Sequence, residues 1–121
     1  MSDARSERGM KVRRAVLGDA HVDRAVAAAT TFTAEWQDFL TRNAWGEVWT
    51  RPALDLRTRS CITVAMLIAL NRPEELALHI RGALNNGVTV EELREILLQS
   101  AVYCGVPAAN AAFKVASALV E

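Results

Sequence analysis

Long apolar runs, paired cysteines and an excess of either charge are all missing from this chain of 121 residues. No stretch approaches the roughly 20 consecutive apolar residues that cross a bilayer. The opening segment, Met-Ser-Asp-Ala-Arg-Ser-Glu-Arg-Gly-Met, lacks the apolar core of a secretory leader. A cytoplasmic location is the resulting expectation. Basic and acidic residues number 14 each, so no global field draws the chain to nucleic acid or to an anionic membrane. Cys61 and Cys104 lie far apart and in no C-x-x-C or zinc-ligand spacing, which argues against a redox motif or a metal site. Both fall in apolar helical stretches and read as buried, reduced thiols acting as small hydrophobes. Sustained alternation between turn residues is absent too, which excludes a sheet, and there is neither a repeat nor a low-complexity segment.

What remains is helical. With 51% apolar residues the chain has enough to bury one core. Residues 1–10 read as a flexible N-terminal arm and 11–121 as a single all-α domain, a compact bundle of about six helices. Val22, Val26, Ala29, Phe32, Trp36, Phe39 and Leu40 recur at helical spacing, with Asp19 as a cap. The crowded run Ala29-Thr30-Thr31-Phe32-Thr33 predicts a bend or two consecutive helices there. Asp55 caps a helix to about Leu70 whose second half, C-I-T-V-A-M-L-I-A-L, is apolar on nearly every side. Such a helix belongs at the centre of a bundle or in a subunit interface. Asn71 and Pro73 open the next helix, which Gly87 ends. Thr89-Val-Glu-Glu92 is a capping-box pattern opening a helix with Leu93, Ile96, Leu97 and Val102 inward. Gly105 stops it, and Pro107 starts the last helix.

Chemistry concentrates on the helix after Pro73. Residues three and four apart share a face, so Arg72, Glu75, His79 and Asn86 form one polar stripe beside the apolar stripe of Leu76, Ile80, Ala83 and Leu84. A carboxylate one turn before a histidine can orient the ring and favour its protonated form. An arginine adds a forked donor for a carboxylate. This is an acid/base unit beside an anion site, though Glu/His pairs at this spacing also occur on solvated faces.

The segments V-R-R-A-V-L-G-D-A-H-V-D-R-A, A-W-G-E-V-W-T-R-P, L-D-L-R-T-R-S, H-I-R-G-A-L-N-N-G and Y-C-G-V-P-A-A-N-A-A-F resemble, in order and over nearly the whole chain, the 4-carboxymuconolactone decarboxylases of the protocatechuate branch of the β-ketoadipate pathway. The wider superfamily includes alkylhydroperoxidase-like proteins, whose active helix reads C-x-x-C-x-x-x-H with a glutamate on the preceding helix. Aligned on His79, the two cysteines fall on Arg72 and Glu75, and the glutamate on Ser60. Peroxide reduction needs a thiolate and a resolving thiol, and neither residue supplies one.

The resemblance implies an alkylhydroperoxidase-like helical fold and decarboxylation of a γ-carboxy-butenolide. The electrons released with carbon dioxide flow into the lactone carbonyl, so no pyridoxal, thiamine or metal cofactor is called for. It implies three tasks: binding an anionic lactone, with Arg72 and Arg51, Arg57 or Arg59 as candidates; stabilising charge on the lactone oxygen; and returning a proton, with His79 as general acid oriented by Glu75. Arg57 and Arg59 are two apart and cannot share a helix face, so one of them is free to make a structural ion pair. Trp49, with Trp45, lines the pocket or anchors packing. Tyr103 donates to the substrate or to a backbone carbonyl. The resemblance further implies a homo-oligomer, a hexamer, with the cleft near subunit contacts. The competing classes are a thiol peroxidase and a non-catalytic helical oligomer, the latter requiring that the Arg72, Glu75 and His79 stripe face open solvent.

Overall fold

A computed structural model describes residues 3–121, and within them every regular element is a helix. Where the sequence reading has one domain from residue 11 onward, the chain groups into two compact units, one ending at Asp55 and one running from Leu56 to Glu121.

The first unit contains α1 (Ala4–Leu17), α2 (Asp19–Ala27), α3 (Ala34–Phe39) and a π-helix, π1 (Leu40–Val48). Residues 4–10 are therefore not a loose arm but the first turns of α1. Asp3 caps them: its Oδ1 accepts the Ser6 N–H at 2.7 Å, and that bond holds the Asp3 carboxyl below its ordinary range. Gly9 supplies the second reason. A Cβ on it would lie 2.0 Å from the Thr41 carbonyl oxygen, and one on Gly46 would lie 2.3 Å from the Arg5 carbonyl oxygen. Helix α1 thus touches π1 backbone to backbone, a contact only glycine permits. Asp19 is not a cap; Gly18 holds that position, and Asp19 instead pairs with Arg14 at 3.1 Å, beside an Asp23–Arg14 pair at 2.9 Å.

The bend expected near residue 30 is present as a full break, and its cause is hydrogen bonding more than crowding. The Thr30 N–H donates to Thr33 Oγ1 at 2.8 Å and the Thr33 N–H to Thr30 Oγ1 at 3.2 Å, diverting backbone donors from the helical ladder. Beyond it, Trp36 and Phe39, expected inward, are exposed and stack on each other with centroids 5.8 Å apart. The winding of π1, with its i→i+5 bonds, gives the buried places to Thr41, Trp45 and Gly46 instead.

The second unit contains α4 (Leu56–Ala69), α5 (Pro73–Asn85), α6 (Val90–Cys104) and α7 (Val106–Val120). They close over Val64, Ile68, Leu76, Ile80, Ala83, Val88, Leu93, Leu97, Ala112 and Ala116. Full burial of a side chain such as Ile80 contributes about 1.5–3 kcal/mol. Together with α1, α2 and α3 these make seven α-helices among the described residues against the about six expected, α1 being the addition.

Helix α5 starts on Pro73 and ends as a Schellman motif. Gly87 has φ +90, the Val88 N–H donates to the Ala83 carbonyl at 3.0 Å and the Gly87 N–H to the Leu84 carbonyl at 3.2 Å. Arg72, not Asn71, is the N-cap residue of α5; Asn71 takes the left-handed turn before it, at φ 56. The capping box of α6 is complete, with Thr89 and Glu92 exchanging two 3.0 Å bonds.

Two expectations about burial change, and of the two settings expected for α4 the bundle centre falls away. Val102 is 76% exposed rather than inward, because α6 buries the stripe Leu93, Leu97 and Ser100. Cys104 is exposed and Cys61 half-buried; both thiols are free. Helix α4 buries Ser60, Val64 and Ile68 but exposes Ile62 and Met66, and Leu70 just past its end is exposed too. It is therefore not enclosed within the single chain. Between α4 and α6 an open apolar groove of about 400 Å³ is bordered by Cys61, Ile62, Ile96, Ser100, Tyr103 and Cys104.

Candidate active site

The face of α5 forms as its spacing predicts. Leu76, Ile80 and Ala83 are buried in the second unit's core, and His79, one position off that stripe, is half-buried. Arg72 and Glu75, one or two turns earlier, are exposed. The stripe is thus not wholly solvated, since its imidazole is drawn toward packed surroundings while its two charged members stay in water. At the C-terminal end of α5, Asn86 Nδ2 donates to the Oγ of fully buried Ser60 at 3.0 Å. Ser60, where related proteins of the superfamily hold a glutamate, is here a buried acceptor tying α4 to α5.

Arg57, a candidate substrate cation, is engaged elsewhere. Its Nη2 pairs with Glu92 Oε2 and its Nε donates to the Gly87 carbonyl at 3.5 Å. The other oxygen of the same carboxylate, Glu92 Oε1, accepts the Thr89 N–H. One carboxylate therefore closes the α6 cap and fastens α4 to the turn before α6. Of the two arginines spaced two apart, Arg57 takes the structural pair and Arg59 is half-buried. The pair is roughly half exposed, so its own worth is about 0.2–1 kcal/mol, while the cap contributes about 1 kcal/mol. Glu92→Ala should therefore cost about 1–2 kcal/mol and Arg57→Ala less than 1 kcal/mol. A double-mutant cycle by urea unfolding checks this; equal losses from both variants would remove the dual role of Glu92.

Tyr103 is 82% exposed on the rim of the α4–α6 groove. Trp49 and Arg51 belong to the first unit. Trp49 packs on buried Trp45 with ring centroids 4.8 Å apart, and exposed Arg51 lies 3.9 Å from Glu47. Among the described residues no group of three or more His, Cys, Asp or Glu side chains is placed to hold a metal ion.

One residue with no place in the sequence reading stands out in the first unit. Arg13 is only 5% exposed, and its Nε is sealed from solvent without a hydrogen-bond acceptor. Burial, with neighbouring Arg14 adding to it, pulls its pKa down. A weak signal for it does exist in the sequence: Gly9, Arg13 and Val16 share one helical face, and that face is the buried one.

The geometry defines an all-α protein whose polar apparatus is a half-buried histidine on a core helix, flanked by a carboxylate and an arginine at helical spacing, without the dithiol of its peroxide-reducing cousins. The chain belongs to the carboxymuconolactone decarboxylase family, whose sequence profile matches residues 34–118. It is 46% identical over 114 residues to a 4-carboxymuconolactone decarboxylase of Acinetobacter baylyi, covering 94% of this chain and 85% of that one. A nitrosuccinic acid decarboxylase of Metarhizium robertsii is 50% identical over 101 residues, 84% of this chain and 71% of its own length. A 4-carboxymuconolactone decarboxylase of Pseudomonas putida is 54% identical over 43 residues, 36% of this chain and 90% of that sequence.

Proposed function

We propose that this protein decarboxylates 4-carboxymuconolactone to 3-oxoadipate enol-lactone, a step of protocatechuate catabolism. The observation that carries the reading is the 46% identity, spread over 94% of the chain, to a decarboxylase of that name. In the reaction the bond between the ring carbon and its carboxylate breaks. The electron pair moves through the ring double bond onto the lactone carbonyl oxygen, and a proton then returns to a ring carbon. The substrate carries its own electron sink, so the protein has to bind an anion, stabilise an enolate oxygen and hand back a proton.

His79 is the general acid in this scheme, with Glu75 one turn away to favour its protonated form and Arg72 as the cation for a substrate carboxylate. Arg59, Arg51, Trp49 and Tyr103 are further candidates for holding the ring and the second carboxylate. Arg57 ranks behind them, because Glu92 already occupies it. The enzyme assembles with copies of itself, as a hexamer by the family resemblance; the exposed apolar side chains of α4 and α6 favour such an assembly. It works in the cytoplasm, and no helix among the described residues is long and apolar enough to cross a membrane.

A second substrate follows from the Metarhizium relative. Nitrosuccinic acid is also a dicarboxylate with a built-in sink, the nitro group, which can take the electron pair released with carbon dioxide. The test is a spectrophotometric assay on 4-carboxymuconolactone generated in place from 3-carboxy-cis,cis-muconate, run beside 2-nitrosuccinate. Each is repeated after dialysis against a chelator and after alkylation of Cys61 and Cys104. Turnover of the lactone, unchanged by either treatment, is expected. Turnover of 2-nitrosuccinate alone would replace the substrate, and loss of activity on alkylation would return the thiol chemistry.

A further inference from the structure

Two adjacent arginines on α1 meet opposite fates. Arg14 has two carboxylates, Asp19 at 3.1 Å and Asp23 at 2.9 Å, and these raise its pKa. Arg13, 5% exposed, has none within ion-pair distance among the described residues, and its sealed Nε meets no acceptor. Burial, and then the like charge of Arg14, pull its pKa down. A guanidinium does not lose its proton in a protein, and a charge largely withdrawn from water without a counter-charge weighs against folding. A buried donor without a partner in a native fold calls for one from outside the chain, an ion or a water among them. The ligand's charge must be negative, and a planar fork suits a carboxylate held by two parallel bonds.

The surroundings are consistent with that use. The glycine contact of α1 with π1 runs antiparallel, since Arg5 meets Gly46 and Gly9 meets both Thr41 and Gly46. One further turn of α1 brings Arg13 to the level of α3, where Gln37 has a buried side-chain oxygen that is likewise without a partner. Turned end for end, that amide presents two N–H donors instead of an oxygen. Two buried polar atoms of the same unit, Arg13 Nε and Gln37 Oε1, thus lack partners.

We propose that Arg13 is a carboxylate-binding residue, the centre of a site in the first unit for a small organic acid. The choice of ligand rests on the reading of the protein as an enzyme for dianionic substrates. The carboxylate is either that of the substrate or that of a separate small acid, and the experiment distinguishes the two.

Wild type, Arg13→Met and Arg13→Lys are compared in thermal unfolding with and without succinate as the probe, and in steady-state turnover of the lactone. Methionine keeps the length of the stem and removes the unpaired charge. The ligand-free Arg13→Met protein is therefore expected to melt about 3 °C or more above wild type. A structural arginine would give the reverse. Binding is expected to weaken about 10- to 100-fold in Arg13→Met, and Arg13→Lys, which keeps the charge but not the fork, to weaken it less. A rise in KM for the lactone identifies the substrate's carboxylate as the occupant. Succinate protection that depends on Arg13 with unchanged lactone kinetics identifies a separate acid. Should neither wild type nor variants act on the lactone while protection still depends on Arg13, the site stands and the proposed substrate falls. An Arg13→Met protein that is less stable or fails to fold, or one with wild-type protection and wild-type KM, overturns the assignment.

Discussion

His79→Ala is expected to lose turnover of 4-carboxymuconolactone by about 10²- to 10⁴-fold, the usual worth of a positioned general acid, and to leave helix content unchanged. Alanine is the best helix former, and the neighbours that pack α5, Leu76, Ile80 and Ala83, are untouched. A loss of turnover with unchanged helix content and unfolding is therefore chemical rather than structural. If the imidazole acts on the intermediate and not on the bound lactone, kcat falls while KM changes little. Glu75→Gln, which leaves an acceptor in place and removes only its charge, falls between the two. Circular dichroism and steady-state kinetics on the three proteins decide the matter, and an alanine variant with the parent's kcat would take His79 out of the reaction.

Gly9→Ala is expected to destabilise the protein by about 2–3 kcal/mol, against the roughly 1 kcal/mol that helix propensity alone would gain. The difference in sign comes from one distance. The new methyl carbon would sit 2.0 Å from the Thr41 carbonyl oxygen and 2.8 Å from the Gly46 nitrogen, and both are backbone atoms that cannot rotate away. Relief requires α1 and π1 to separate, which uncovers Val16, Trp45 and Thr41, now buried in this unit. Gly87→Ala is the instructive control, because its Cβ would meet open space and only the φ of +90 resists it. That substitution should cost about 1 kcal/mol. Urea unfolding of both variants tests the ordering, and a Gly9→Ala protein as stable as the parent would mean that the two backbones are not in contact.

Local chemistry was legible in the sequence wherever it is self-contained. Thr89 and Glu92 satisfy each other within one turn, Pro73 and Gly87 bracket α5 by their own dihedral limits, and the α5 stripe follows from period alone. Legibility ended where a residue's role depends on something distant or on an unusual winding. Helix α1 escaped notice because its buried face is Gly9, Arg13 and Val16, which is no apolar stripe. The segment from Ala34 does not keep one 3.6-residue period: Trp36 and Phe39 are exposed in α3, and the π-helix from Leu40 gives the buried places to Thr41, Trp45 and Gly46. Arg57 and Glu92 are 35 residues apart, and spacing could say only that one of Arg57 and Arg59 was free to pair. That Arg13 lacks a carboxylate is a property of the folded surroundings and has no trace in neighbouring letters.

The outward hydrocarbon of α4, α6 and the start of α7, from Ile62 and Met66 to Val102 and Val106, would make dilution a denaturing stress in its own right. In the proposed assembly copies of the chain would cover it, part of the stabilising burial would lie between molecules rather than inside one, and every tenfold fall in protein concentration would loosen each of them. A melting temperature that falls on dilution would be the mark of that assembly.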